Sequence, residues 1–310
     1  MTSSFEAPTG RLDAVVASHL RITRATAQRA IASGGVLVDG ERRPKSHRLA
    51  GGERVEVDLA PGLTVPAEGP PLELRYRDEH LMVIAKPAGL PTHPTENHRS
   101  GTVVNRLLGM EVPLAGRGAP LRPGIVHRLD AGTSGLLVVA SDDATADALA
   151  VMFREHGADR RYLATVRGRP AHDRFEVEAP LGRRGARIRV DASSGREAST
   201  RFEVRERFDA AALLEAAPRT GRTHQIRVHL ASVGHPVLGD TRYGGGGEDA
   251  RVLGLRRPFL HAWRIAFDHP VDGRRIELEE PLPPDLETAL ERLRAGREPE
   301  GRPWGRPGPP

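Results

Sequence analysis

Residues 124–140 read GIVHRLDAGTSGLLVVA: an apolar run, a polar segment carrying His127, Arg128, Asp130, Thr133 and Ser134, then a second apolar run. Polar residues set between two core-forming stretches are where a scaffold presents reactive groups. Gly132 and Gly135 permit tight backbone geometry there. Asp130 is the single carboxylate of the segment. An aspartate, with an ordinary pKa of about 3.9, is ionised at neutral pH and can serve as nucleophile or base. It can equally well cap backbone amides in a turn. A kinase catalytic loop is excluded: Leu129 separates Arg128 from Asp130, and no asparagine follows. The run Gly244–Gly247 is a flexible loop without a phosphate-binding fingerprint.

A second constellation lies in PRTGRTHQIRVHLASVGHPVLGD, residues 218–240, where Arg219, Arg222, His224, Gln225 and Arg227 crowd a tight turn and a helix start. That grouping suits an anion or a paired carboxylate. His224 and His229 are five apart and diverge on a helix, whereas metal-binding pairs sit four apart. Arg227 reads as an exposed helix arginine.

The elements that must carry these residues fall into two groups. Residues 10–59 form a compact unit: RLDAVVASHL is a helix, Thr23 caps a second helix closed by Gly34, Asp39-Gly40 turns a hairpin, and RLAGGERVEVDL is a strand pair across Gly51-Gly52. APGLTVPAEGPP reads as a linker. From Leu72 a longer α+β series begins. LELRYRDEHLMVIAKP gives two strands and TVVNRLLG a helix. Ile125–Leu129 and Gly135–Ala140 are strands flanking the Asp130 loop, and SDDATADALAVMFREHG is a helix opened by acidic residues. RYLATVRG, RFEVRERF and AALLEAAP are strands, THQIRVHLASVG is a helix, and GREPEGRPWGRPGPP is a disordered tail.

Composition narrows the classes further. The 310 residues carry a formal net charge of +5, and Lys45 and Lys86 are the only lysines among 46 basic residues. Arginine forks suit phosphate, although GC-rich codon usage gives the same bias. There is no cysteine, which removes disulfides, thiolate catalysis and Cys-based metal sites. The start, MTSSFEAPTGRLDA, shows no secretory pattern, and no apolar stretch approaches membrane-spanning length, so the expected compartment is the cytoplasm.

HRLDAGTSGLLVVA resembles the signature of the RluA-type pseudouridine synthases. YRDEHLMVIAKPAGLPTHP, DRRYLATVRG, RTGRTHQIRVHLASVGHPVLGD and RPFLHAWRIAFDHPVDG are similar to further motifs of that family, in family order from about residue 72 to 285. Residues 10–58 resemble the S4 RNA-binding domain. Two departures, VVASDD after the signature and DRRY before the tyrosine, leave the catalytic positions untouched.

The resemblance implies an α+β fold: a mixed, mainly antiparallel sheet in a catalytic domain at 72–290. A small α/β S4-like domain at 1–60 precedes it, 61–71 is the linker, and 291–310 is the disordered tail. It implies isomerisation of uridine to pseudouridine in structured RNA, large-subunit ribosomal RNA ahead of transfer RNA, with no cofactor, metal, membrane or obligate protein partner. By the same resemblance Asp130 is the catalytic carboxylate and Arg222 its cationic partner. Tyr162 stacks on the uracil and assists proton transfer, and Arg128 fills the space left by the flipped base. Ile226 shapes the base pocket or is simply core. His127 and Thr133 belong to the same site, His127 most readily as a hydrogen-bonded support. Arg24, Arg29, Arg42, Arg43 and Lys45 of the front unit are the expected phosphate contacts. Two other classes remain open on the residues alone: an S4-type RNA-binding protein without activity, and a glycosidic hydrolase, which would need a second placed carboxylate.

Overall fold

The computed structural model describes residues 2–20, 22, 24–58, 65–95, 99–119 and 121–296. The first unit comprises β1 (Thr2–Glu6), β2 (Gly10–Arg11), α1 (Leu12–His19), α2 (Arg24–Ala32), β3 (Val36–Val38), β4 (Arg48–Leu49) and β5 (Arg54–Asp58). Leu12, Val15 and Val16 of α1 meet Ala27, Ala30 and Ile31 of α2, and Val36, Val38, Val55 and Val57 close a core of this unit's own. Asp39 and Gly40 both take positive φ, 50° and 79°, as a tight hairpin turn requires, and Val38 bridges Glu41 across it. The anticipated strand pair across Gly51-Gly52 does not form. β4 pairs with β2, while β5 lies between β1 and β3, so the two segments serve different sheets. The expected cap Thr23 lies outside the described residues.

The second unit comprises β6 (Glu73–Arg77), β7 (Leu81–Lys86), α3 (Val103–Gly109), β8 (Ser134–Ala140), α4 (Asp143–Arg154), β9 (Asp159–Arg167), β10 (Arg174–Glu178), β11 (Leu181–Arg184), β12 (Arg187–Val190), β13 (Ser199–Arg207), β14 (Ala211–Pro218), α5 (Gln225–Ser232), α6 (Glu248–Val252), β15 (Leu260–Asp268), β16 (Arg275–Glu279) and α7 (Pro284–Ala295). Among the described residues, nine strands make one sheet in the order β10-β13-β14-β9-β15-β8-β7-β6, with β16 beside β15. Within it only β15–β8 is parallel; the other pairings are antiparallel, which is the mixed α+β sheet that the sequence leads one to expect. Every residue of β8 is buried because both faces are covered. Leu137 and Val139 join a core shared with Ile226 and Leu230 of α5, while Leu136, Val138 and Ala140 pack with Leu149 and Phe153 of α4 on the other face.

Local signals explain the helix starts. The Thr102 and Asn105 side chains form a reciprocal capping box at α3. Asp142 accepts the Thr145 amide at 2.8 Å at α4. Three boundaries move. Of Ile125–Leu129 only Ile125 bridges a strand residue, Val139, so the approach to Asp130 is a loop rather than a strand. Within the supposed linker, the Pro66 carbonyl accepts from the Asn105 amide group and the Glu68 amide donates to the Asn105 carbonyl, so this stretch is strapped to α3; 61–64 fall outside the described residues. Helix α7 continues to Ala295, five residues into the supposed tail, because Leu286, Ala289, Leu290 and Leu293 bury one of its faces. Residues 297–310 lie outside the described chain.

Candidate active site

Asp130 sits in the loop that enters β8, and neighbouring elements hold this loop from several sides. The Thr92 hydroxyl donates to the Leu129 carbonyl at 2.7 Å and accepts the Leu129 amide at 3.1 Å. The Lys86 ammonium reaches the Ala131 carbonyl at 3.3 Å, and the Gly89 amide reaches the same oxygen at 2.8 Å. Arg257 donates to the Gly132 carbonyl at 3.1 Å. Lys86 also donates to the carbonyls of Pro87 and Leu90, both at 2.8 Å. Burial pulls its pKa down to about 7, against the opposing charge of Asp130. Three acceptors nonetheless match the three N–H bonds of the ammonium form, and a neutral amine could satisfy only two.

The partner of Asp130 is Arg227, not Arg222. Arg227 Nη1 lies 3.0 Å from Asp130 Oδ2, while its Nε and Nη2 grip Asp240 at 2.6 and 2.9 Å. Burial works against the Arg227 charge, but Asp240 and Asp130 outweigh it and raise its pKa above the ordinary value. The expectation of an exposed helix arginine at 227 is corrected. Only 8% of the residue is accessible, because every residue of α5 from Gln225 to Leu230 is buried. Arg222 lines the same cleft, but its Nε donates to the Glu197 carbonyl at 3.0 Å, which commits the guanidinium to the rim. The turn between the two arginines is tied by Gln225, whose Oε1 accepts the Arg222 amide at 3.0 Å and the Thr220 hydroxyl at 2.6 Å.

Tyr162 lines the cleft from the middle of β9, between Ala216 of β14 and Ala262 of β15. The alanines leave space beside its ring. Burial raises its pKa, Arg160 opposes this and Asp130 adds to it, so the phenol stays protonated at neutral pH. Ile226, Thr133 and Arg128 also line the cleft, Ile226 and Thr133 buried and Arg128 exposed. His127 does not. Its Nε2 accepts the Val138 amide at 2.9 Å and its ring stacks on Phe153 at 4.4 Å, on the α4 side of the sheet. Burial, aided by the charge of Arg160, lowers its pKa to about 3. It is therefore a neutral, hydrogen-bonded support, as the sequence suggests, but its grouping with the substrate-binding residues is corrected.

Two family models match this chain: one described as RNA pseudouridylate synthase over residues 80–232, the other as the S4 domain over residues 10–55. An uncharacterised RNA pseudouridine synthase of Bacillus subtilis is 36% identical over 95% of this chain and 97% of its own. A protein of Xanthomonas campestris named ribosomal large subunit pseudouridine synthase D is 39% identical over 92% of this chain and 89% of its own. Among solved structures, human RNA pseudouridylate synthase domain containing 1 superposes with a TM-score of 0.55 at 27% identity, covering 75% of this chain and 99% of that one. The chain belongs to the RluA-type RNA pseudouridine synthases. It is an isomerase acting on RNA, with an S4 domain in front of the catalytic domain.

The phosphate contacts expected in the S4 domain divide in two. Arg24 is half-exposed, but both its Nε and its Nη2 lie 3.0 Å from the buried carboxylate of Asp13, so its charge is already spent within the domain. Arg29 is half-buried and turns its Nη2 to the Thr26 hydroxyl. Arg42, Arg43 and Lys45 are exposed beyond the hairpin turn; Arg43 pairs with Glu41 at 2.8 Å, and Lys45 reaches Gln28 at 3.4 Å. The site residues that sequence reasoning misses in this synthase are Arg227, Asp240, Tyr243 and Lys86. Arg227 is visible in the sequence as one of the two arginines in RTHQIR, but nothing local distinguishes it from Arg222.

Proposed function

We propose that this synthase isomerises a uridine of large-subunit ribosomal RNA with Asp130 as its catalytic carboxylate. The observation that carries the reading is the Asp130–Arg227 contact of 3.0 Å in a cleft also lined by Tyr162 and Ile226. Pseudouridine formation breaks N1–C1′, turns the uracil and joins C5 to C1′; a proton leaves C5 and one arrives at N1, so nothing is oxidised. Arg227 takes Oδ2 and leaves Oδ1 toward the cleft, where it can meet the sugar or the base. Tyr162, protonated and beside the open space, can stack on the uracil and relay the C5 proton. A uridine in folded RNA must leave its stack to reach this depth. Arg128, exposed at the mouth, can fill the gap that the base leaves.

Relatives named for the large ribosomal subunit support the substrate class, while the transfer-RNA alternative has no such support. A ribosomal substrate also implies a cytoplasmic enzyme; among the described residues no helix is long and apolar enough to cross a membrane. The test is pseudouridine mapping of total RNA from cells with the gene, without it, and with Asp130→Asn. One or a few large-subunit positions should be lost in the second and third. Losses confined to transfer RNA would overturn the substrate, and full modification by the Asp130→Asn protein would overturn the site.

A further inference from the structure

His224 stands against Asp130 on the side that Arg227 leaves open. Its Nε2 lies 4.0 Å from Asp130 Oδ1, and its Nδ1 lies 2.7 Å from the Tyr243 hydroxyl. The two rings meet edge to face at 5.6 Å, and the Arg227 guanidinium covers the Tyr243 ring at 5.1 Å. His224 is also one of the few non-glycine residues with positive φ, 56°, at the position that opens α5. A glycine would hold that backbone without strain, so the side chain has a task that outweighs it.

The contacts select a tautomer. The Tyr243 hydroxyl, 2.7 Å from His224 Nδ1, has a hydrogen to donate to it. The ring proton then sits on Nε2 and points at a carboxylate, whereas the opposite tautomer would set a lone pair against that charge. Both groups stay neutral at pH 7, since burial lowers the His224 pKa and raises that of Tyr243.

A separation of 4.0 Å is too long for a direct hydrogen bond but admits one oxygen bonded to both atoms. That oxygen must accept from Nε2–H and donate to Oδ1. Uracil carbonyls and the ring oxygen of ribose only accept, and N3–H only donates. The 3′ oxygen is esterified within an RNA chain. Among the oxygens of the target nucleotide the 2′-hydroxyl alone does both, in the place where a water could sit before the RNA binds, and it neighbours the bond that breaks.

Building on the Asp130 reading, we propose that His224, fixed by Tyr243, reads the ribose 2′-hydroxyl of the target uridine and so makes this site selective for a ribonucleotide at that position. The probe is the RNA stem-loop around a mapped target, carrying uridine or 2′-deoxyuridine at that one position. Single-turnover rate and Kd are read for wild type, His224→Phe, His224→Asn and Tyr243→Phe. Asparagine tolerates the left-handed backbone but is too short to span to Asp130. Wild type should lose about tenfold in rate over Kd on the deoxy probe. Both His224 variants should lose about as much on the uridine probe and nothing further on the deoxy probe. Tyr243→Phe should discriminate less than wild type. Undiminished discrimination in His224→Asn and His224→Phe would overturn the inference. Turnover by Asp130→Asn would instead overturn the site on which it rests, so the two failures are distinct.

Discussion

At the scale of single residues, Arg227 holds two carboxylates on one guanidinium, and one of them, Asp240, is 1% exposed. Removing the cation leaves a buried charge unpaired, which costs about 3–5 kcal/mol. Arg227→Ala should therefore lower Tm as well as the rate of tritium release from C5 at saturating enzyme. Arg227→Lys should recover only part of each, because an ammonium cannot offer the fork. Arg222→Ala, which removes a rim bond to a carbonyl, should leave the chemical step within a few-fold of wild type. A larger rate loss at Arg222 than at Arg227 would reverse the assignment.

His127 makes a second prediction, through pH. Its folded pKa of about 3 lies below the ordinary histidine value of 6.5, so between those limits the unfolded chain binds the extra proton. Stability contributed by neutral His127 is thus fully present above pH 6.5 and lost progressively as pH falls toward 3. His127→Gln keeps an acceptor for the Val138 amide but has no proton to gain. Its unfolding free energy should decline less steeply than wild type's from about pH 6.5 to about pH 4 in urea titrations. Parallel curves would show that the acid sensitivity lies elsewhere.

At the scale of elements, the Asp130 loop is positioned by the segment between β7 and α3 more than by its own strand. Thr92 satisfies both the amide and the carbonyl of Leu129 from 37 residues away. Thr92→Val keeps the shape and deletes both bonds, leaving two buried backbone groups unpaired at about 1–3 kcal/mol each. The expected result is a fold that survives, with a lower Tm, and a chemical step slowed about tenfold or more as Asp130 loses its aim. An unchanged single-turnover rate alongside a lowered Tm would mean that the loop is held well enough by Lys86, Gly89 and Arg257. The approach through 125–129 has the look of a strand because the β-branched Ile125 and Val126 open it. It does run beside β8, whose edge β15 occupies only at Ser134 and Gly135, but the ladder stops after the Ile125–Val139 bridge because the Val138 amide is taken by the His127 ring instead of a backbone carbonyl.

At the scale of the whole molecule, the S4 domain has a core of its own and the catalytic cleft draws all its residues from the second unit. Removing residues 1–60 should weaken RNA binding more than it slows bound substrate. For every phosphate that the shortened protein no longer neutralises, the log–log salt slope of binding should fall by roughly 0.7 to 0.9. With Arg24 committed to Asp13, the phosphate grip should come from Arg42, Arg43 and Lys45, and charge reversal at these three should reproduce much of the weakening. Affinity against salt, measured beside single-turnover rates, checks both statements. A truncated enzyme that binds RNA normally but no longer reacts would show that the front domain helps to build the active site.

The amino-acid sequence by itself determined that Asp130 stands in a polar loop between apolar runs, that helices begin at Thr102 and Asp142, and that a small two-helix unit precedes a larger sheet. These are local properties, set by side-chain type and spacing within a few residues of each other. Which arginine meets Asp130 is not of that kind. The pair is 97 residues apart in the chain, and ion pairing leaves no periodic trace in sequence. Arg227 resembles a solvent-facing helix residue only if α5 has an outer face, and the helix is instead buried along the whole stretch from Gln225 to Leu230. His127 is likewise drawn toward the site by its place in the motif. Only the packing of the sheet decided that it turns toward α4 while Asp130, three positions on, turns toward the cleft: where a chain leaves regular structure, neighbouring side chains share no common face, and the direction of each is set by whichever partner the tertiary fold brings within reach.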